Sequence, residues 1–240
     1  MARGITMPRP TWPTSSINRL KTATAAAIVI HVAGAIGILL EAEWFVRMTP
    51  VNLLVMLLFA LWTEGETSRN LLAFFAAAWT VGMASEIIGT HTGILFGNYA
   101  YGDVLGPDLF GVPLLIGCNW FLTLRASSGI AARMVSALHR KEAGGDAPPD
   151  TSRTRWALPL LGALLATFFD WVMEPVAVRL GYWTWFGDGS IPVLNYLTWF
   201  VVSWLLLSLA ARLRISDTNP FPARLYLIQL LFFLLLRWQS

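Results

Sequence analysis

The chain has 240 residues, of which 56% are hydrophobic and only 13% charged, about half the charged share of a soluble domain. Twelve Trp and fourteen Phe exceed what a soluble core of this size needs. The net charge of +3 comes from basic residues lying beside apolar runs, which argues against a nucleic-acid surface, and the single Cys118 excludes an internal disulfide.

A membrane span needs roughly 20 mostly apolar residues. Seven segments fit: 20–40, 50–63, 70–89, 113–138, 155–180, 192–213 and 220–238. The basic stretch at 1–21 is not read as a cleavable leader, because the apolar run after it is long enough to stay as a span. The second segment is short, but Thr49-Pro50 is a good helix start, with Thr as cap and Pro in the first turn. The fourth contains Arg125 and Arg133 and is expected to leave the hydrocarbon near Arg125. The segment 139–153, HRKEAGGDAPPDTSR, reads as a mobile charged loop.

With the N-terminus inside, all of the 17 Lys and Arg residues fall on the inner side except Arg47, Arg179 and Arg237. Cytoplasmic loops carry that excess. The expectation is therefore an all-α protein of the cytoplasmic membrane with about seven transmembrane helices, its N-terminus inside and C-terminus outside. The loops at 90–112 and 181–191 then face outward.

Two stretches repeat a pattern: SEIIGTHTGILFGNYAYGDVL at 85–105 and FDWVMEPVAVRLGYWTWFGDG at 169–189. Aligned on Glu86 and Asp170, Gly97 meets Gly181, Tyr99 meets Trp183 and Tyr101 meets Trp185. After a loop of different length, PLLIGCNWF at 113–121 meets PVLNYLTWF at 192–200, bringing Trp120 onto Trp199. The chain thus reads as a single membrane domain, 1–240, with an internal parallel two-helix repeat. Unit one is 70–138, the inner linker 139–154, and unit two 155–213, flanked by spans within 20–63 and 220–238. Parallel repeats in membranes commonly hold a ligand where they meet.

Glu86 and Asp170 fall at similar depth, and Glu174 lies one helical turn beyond Asp170 on the same face. Carboxylates inside spans usually face a cavity or a partner. One expectation is that they pair with Arg125 or Arg179 and merely tie helices together. The other is that they lack cations, rest as neutral acids, and donate protons. Tyr99, Tyr101, Trp183 and Trp185 fit an interfacial belt individually. As repeated pairs beside the acids they fit a pocket wall whose ring faces stabilise a cation. An acid under an aromatic wall suits protonation of an alkene. Asn119 and Asn195, just after the two prolines, are candidates for holding water. His31 reads as a packed or hydrogen-bonded histidine, and His91 as a weak candidate for a relay. No set of residues has convincing metal spacing, no phosphate-binding glycine loop is present, and GDVLGPDLFG at 102–111 reads as a turn-rich loop.

The segments EIIGTHTGILFGNYAYGDVLGPDLFGVPLL and DWVMEPVAVRLGYWTW…IPVLNYLTWF resemble the membrane-bound carotenoid 1,2-hydratases of the CruF type, over roughly residues 70–214. The resemblance implies a cofactor-independent hydro-lyase that adds water to the terminal C1,C2 double bond of an acyclic carotenoid. Protonation at C2 would give a tertiary cation at C1, which water captures as a 1-hydroxy carotenoid. Lycopene, gamma-carotene and bacterioruberin-precursor types are the implied substrates, in a lipid bilayer, with other carotenoid-pathway enzymes as potential neighbours and no nucleic-acid partner. Glu86 and Asp170 are the leading acid candidates, in either order of roles, with Glu174 tuning them. Tyr99, Tyr101, Asn119, Trp120, Trp183, Trp185, Asn195 and Trp199 are the candidate substrate-binding residues. The alternatives are a lycopene-cyclase-like enzyme, where a neighbouring alkene captures the cation, and a non-enzymatic transporter or carotenoid-binding protein.

Overall fold

The computed structural model describes residues 14–64, 68–142, 151–215 and 217–238. Its elements in chain order are α1 (Thr14–Leu40), α2 (Ala42–Val46), α3 (Thr49–Glu64), α4 (Arg69–Thr92), β1 (Tyr99–Tyr101), β2 (Asp108–Leu109), β3 (Val112–Pro113), α5 (Leu115–Glu142), α6 (Thr151–Arg179), β4 (Trp183–Trp185), α7 (Val193–Arg212) and α8 (Phe221–Trp238). The architecture is all-helical, with two short strand pairs in the loops. Each of the seven predicted segments falls on a helix, while the small α2 was not foreseen.

Among the described residues, five helical segments are long and apolar enough to cross a membrane: Ser15–Leu40, Arg69–Thr92, Trp156–Arg179, Val193–Arg212 and Phe221–Trp238. Only 28% to 44% of each apolar window is covered by protein, so most of this apolar surface needs another nonpolar medium. That marks a membrane protein. The remaining two predicted spans differ for separate reasons. Helix α3 has 16 residues, about 24 Å at 1.5 Å per residue, against a hydrocarbon core of about 30 Å. Helix α5 has 28 residues but is too polar in composition. It packs against α3, α4, α6, α7 and α8, and almost every side chain from Ile116 to Ala131 is buried or half-buried. A helix enclosed by other helices meets little lipid, so its hydropathy is released from the lipid constraint.

Arg125 on α5 is held at this centre. Its guanidinium donates to Glu64 Oε1 at 2.8 Å and to Asp217 Oδ1 at 2.8 Å, and Ser128 Oγ donates to the same Asp217 oxygen at 2.7 Å. Arg125 is therefore a clamp among α3, α5 and the α7–α8 connection, and not a partner of the repeated acids. Arg179 is not one either: its Nη2 donates to the Leu236 carbonyl at 2.7 Å. Pro175 lacks an N–H, which frees the Trp171 carbonyl four residues earlier. Arg237 Nη1 donates to that oxygen at 2.7 Å while its guanidinium lies 4.2 Å from the Trp171 ring centroid. Both bonds tie α6 to α8.

Two local expectations change, and the end of α6 is defined. The segment 139–153 is not all loop, since α5 runs on to Glu142 and α6 begins at Thr151; positions 143–150 lie outside the described residues, as do Arg3 and Arg9. Thr49 does not cap α3, because the Asn52 N–H bonds the Met48 carbonyl and the Thr49 hydroxyl shares a 2.7 Å hydrogen bond with the Tyr182 hydroxyl. Helix α6 ends in a Schellman motif: the Gly181 N–H reaches the Val178 carbonyl, the Tyr182 N–H reaches the Ala177 carbonyl, and Gly181 takes φ 73°.

The two loops expected to face outward join each other. Strand β1 pairs antiparallel with β4, in the register Tyr99↔Trp185, Ala100↔Thr184, Tyr101↔Trp183. The Gly102 N–H to the Tyr182 carbonyl and the Phe186 N–H to the Asn98 carbonyl, both 2.9 Å, extend the ladder at either end.

Removing one member of a buried charge cluster leaves the others uncompensated, at a cost of about 3–5 kcal/mol. Arg125→Leu is expected to lower stability by that order, read as a large fall in thermal midpoint in detergent. Arg125→Lys should retain part of the difference.

Candidate functional site

Helices α4 and α6 carry the acids, and the paired strands cover them. Glu86 is 4% exposed, Glu174 2% and Asp170 0%. Among the described residues no Lys, Arg or His bridges any of the three. Their partners are neutral donors. Glu86 accepts from the Tyr99 hydroxyl, from the Tyr101 hydroxyl at 2.8 Å and from Trp120 Nε1 at 3.0 Å. Glu174 accepts from Trp183 Nε1 at 3.0 Å, Trp185 Nε1 at 3.1 Å and Asn195 Nδ2 at 3.3 Å. Asp170 has a single donor: Asn195 Nδ2 reaches its Oδ2 at 2.8 Å, and its Oδ1 is buried with no hydrogen-bond partner among the described residues.

This pattern reorders the acids. Sequence alignment sets Glu86 opposite Asp170, yet in its surroundings Glu86 matches Glu174. Each lies seven residues before a left-handed glycine, Gly93 (φ 67°) or Gly181 (φ 73°), and each accepts from both outer rings of its own strand. Asp170 is the acid without a counterpart. Counting back four residues from Glu86 reaches Gly82, where an added Cβ would lie 2.5 Å from Trp120 Cδ1.

The rings close the site. Tyr99 packs on Trp185 with centroids 4.9 Å apart, and Tyr101 on Trp183 at 5.9 Å. Beneath them Trp120 and Trp199 stack at 3.9 Å with an interplanar angle of 12°. All eleven residues singled out from sequence line one small cavity, together with Phe96, Ile116 and Met173, which sequence reasoning missed. Its free volume is about 20 Å³, roughly room for one water. Asn119 faces this space without a hydrogen-bond partner among the described residues. His91 is exposed, with Nδ1 bonded to the Ile87 carbonyl, and lines neither this cavity nor the larger one beside it.

A second cavity, of about 300 Å³, adjoins the first. Ile116, Asn119, Met173 and Trp183 line both, so these four form the wall or doorway between them. The larger space is mostly apolar and is walled by α1, α3 and α8 together with Phe169 and Tyr182. Sequence reasoning treated those three helices as flanking spans. The available signal was a polar residue set among apolar neighbours in each run: His31, Asn52 and Gln229.

The family model described as carotenoid biosynthesis protein matches residues 45–238. The chain belongs to this carotenoid biosynthesis protein family. No curated protein and no solved structure gives a match. The family implies a carotenoid-related substrate, and a mostly apolar cavity opening onto buried acids is compatible with one.

Burial, and then the charge of Glu86, push the Tyr99 and Tyr101 hydroxyls well above the usual phenol range, so both stay protonated as donors. A phenol raised in the folded state holds its proton after the unfolded one has lost it. Stability should therefore fall as pH rises above about 10. Alkaline unfolding followed by near-ultraviolet absorbance should show this loss, with a shallower pH slope in Tyr99→Phe and Tyr101→Phe.

Proposed function

We propose that this chain is a membrane-embedded hydratase acting on the terminal double bond of an acyclic carotenoid, with Asp170 as the proton donor. One observation carries the reading. Asp170 lines a water-sized cavity that shares a wall with an apolar chamber, and its Oδ1 is buried without a donor among the described residues. A carboxylate served by three donors is suited to charge; a carboxyl oxygen with none is suited to carrying a hydrogen. Glu174 and Glu86 fit the first description and Asp170 the second.

In this mechanism the polyene tip enters from the larger cavity past Asn119, Met173 and Trp183. The Asp170 proton bonds to C2 as the π electrons leave C1, giving a tertiary cation. The stacked Trp120 and Trp199 and the outer rings supply electron-rich faces near it. Water held by Asn119 bonds through oxygen to C1, and its surplus proton passes to Glu174. The proton returns to Asp170 within the Asp170–Asn195–Glu174 group, so water is the only net addition. Neutral ring donors suit this chemistry, since a fixed cation beside the site would repel the carbocation.

The wider arrangement is proposed with it. Seven crossings, the N-terminus inside, would include α3 and the enclosed α5. The two units, 70–138 and 155–213, would be related by a pseudo-twofold axis through the β1–β4 pair and the Trp120–Trp199 stack. Under that relation Tyr99↔Trp185 maps onto Trp183↔Tyr101, and the observed register satisfies it.

Expression in a lycopene-producing host is expected to yield pigment heavier by one water, its oxygen coming from labelled water. Asp170→Asn should reduce conversion about 10²-fold or more while the protein stays folded. Full activity in that variant would remove Asp170 from the role, and a product of unchanged mass but altered spectrum would indicate cyclisation. For topology, Asp188→Cys should react with an impermeant maleimide in intact cells, whereas Arg214→Cys should react only after lysis.

A further inference from the structure

The larger cavity is less hydrocarbon-like than its overall character suggests. His31 on α1 is 5% exposed and Gln229 on α8 is 8% exposed, and both line it. His31 Nδ1 lies 2.8 Å from the Ala27 carbonyl, which can only accept, so Nδ1 carries the hydrogen. Nε2 of the neutral ring is then an acceptor. The ring is held edge-on to Phe232, 5.5 Å between centroids, one turn along α8 from Gln229. The Gln229 amide has no hydrogen-bond partner among the described residues. Across the same space, Asn52 Oδ1 on α3 is buried and likewise without a partner. None of these three residues lines the acid cavity.

A purely hydrocarbon occupant would leave all three polar groups unsatisfied, which disfavours it. Three helices place an imidazole or a carboxamide on this wall, and together these offer both acceptors and N–H donors, the pairing a hydroxyl can satisfy. We propose that this wall recognises a hydroxyl group on the ligand, so that the chamber takes an isoprenoid chain already bearing an alcohol oxygen at some distance from the double bond presented to the acids. His31 and Gln229 are then specificity residues, acting on binding and not on the proton transfer. The inference rests on reading this cavity as the chain's seat in the proposed hydratase.

The test is competition. Purified protein in detergent is loaded with an acyclic C40 polyene, followed by quenching of Trp fluorescence, and displaced with farnesol or with farnesene, the related hydrocarbon without the hydroxyl. Farnesol is expected to compete at about tenfold lower concentration. Gln229→Met and His31→Phe, made singly so that one misfolding variant leaves the other informative, should each shrink that preference without weakening farnesene. Gly34→Leu, where an added Cβ meets only Phe232 at 3.7 Å, should fill the cavity and weaken both competitors. Equal competition by the two in the unmodified protein, or a preference that survives both substitutions, overturns the hydroxyl site and indicates water there instead. If neither compound displaces the polyene and Gly34→Leu does not alter polyene binding, the assignment of the cavity itself fails.

Discussion

A carboxylate withdrawn from water has to recover its hydrogen bonds or its proton, and this bundle is organised around doing so without cations. Six donor contacts, from two tyrosines, three tryptophans and one asparagine, reach Glu86 and Glu174. Four of those donors stand on β1 and β4, whose pairing orients their side chains toward the acids. The strands exist as a pair because two loops meet, and the loops meet because α4 and α6 are packed into one bundle through α5. Loss of the pairing would leave two acids stranded in an apolar interior. The arginines that might have neutralised them are engaged elsewhere: Arg125 with Glu64 and Asp217, Arg179 with a backbone carbonyl.

That separation of charges has a chemical consequence. Among the described residues the buried ion pairs gather at Arg125, with Glu64 of α3 and Asp217 of the α7–α8 connection, while the acids meet neutral donors and rings. A reaction passing through a carbocation gains from such surroundings. An electron-rich wall attracts the developing charge, and no fixed positive group opposes it. Asp170 stands apart within the chamber because Asn195 serves one of its oxygens and nothing among the described residues serves the other.

In the proposed hydratase, adjacent chambers of different character would resolve the conflict of joining water to a long hydrocarbon. The smaller has room for about one water among polar groups; the larger is mostly apolar and is bounded by lipid-exposed helices. Asn119, Ile116, Met173 and Trp183 stand between them. The Thr49–Tyr182 hydrogen bond joins the start of α3 to the strand-bearing loop, so the roof of the acids and the wall of the large chamber are mechanically connected.

Much of this was legible in the residues themselves. Apolar runs located the helices, because the energetic demand of lipid is written in composition. The repeated acid–glycine–aromatic spacing, the helical turn from Asp170 to Glu174 and the Pro…Trp-Phe match together located the eleven named side chains that line the smaller cavity. For α5 composition is a weaker guide, since enclosure by other helices, a tertiary property, removes much of its contact with lipid. Alignment paired Glu86 with Asp170, but spatial neighbours, not spacing, decide which acid is fully served, and that pairing fell to Glu174. The larger chamber left only a faint trace in the sequence, polar residues such as His31, Asn52 and Gln229 within apolar runs. Its walls join α1, α3 and α8 to residues of both repeat units, and a cavity is made by the gaps between elements, which no single stretch of chain encodes.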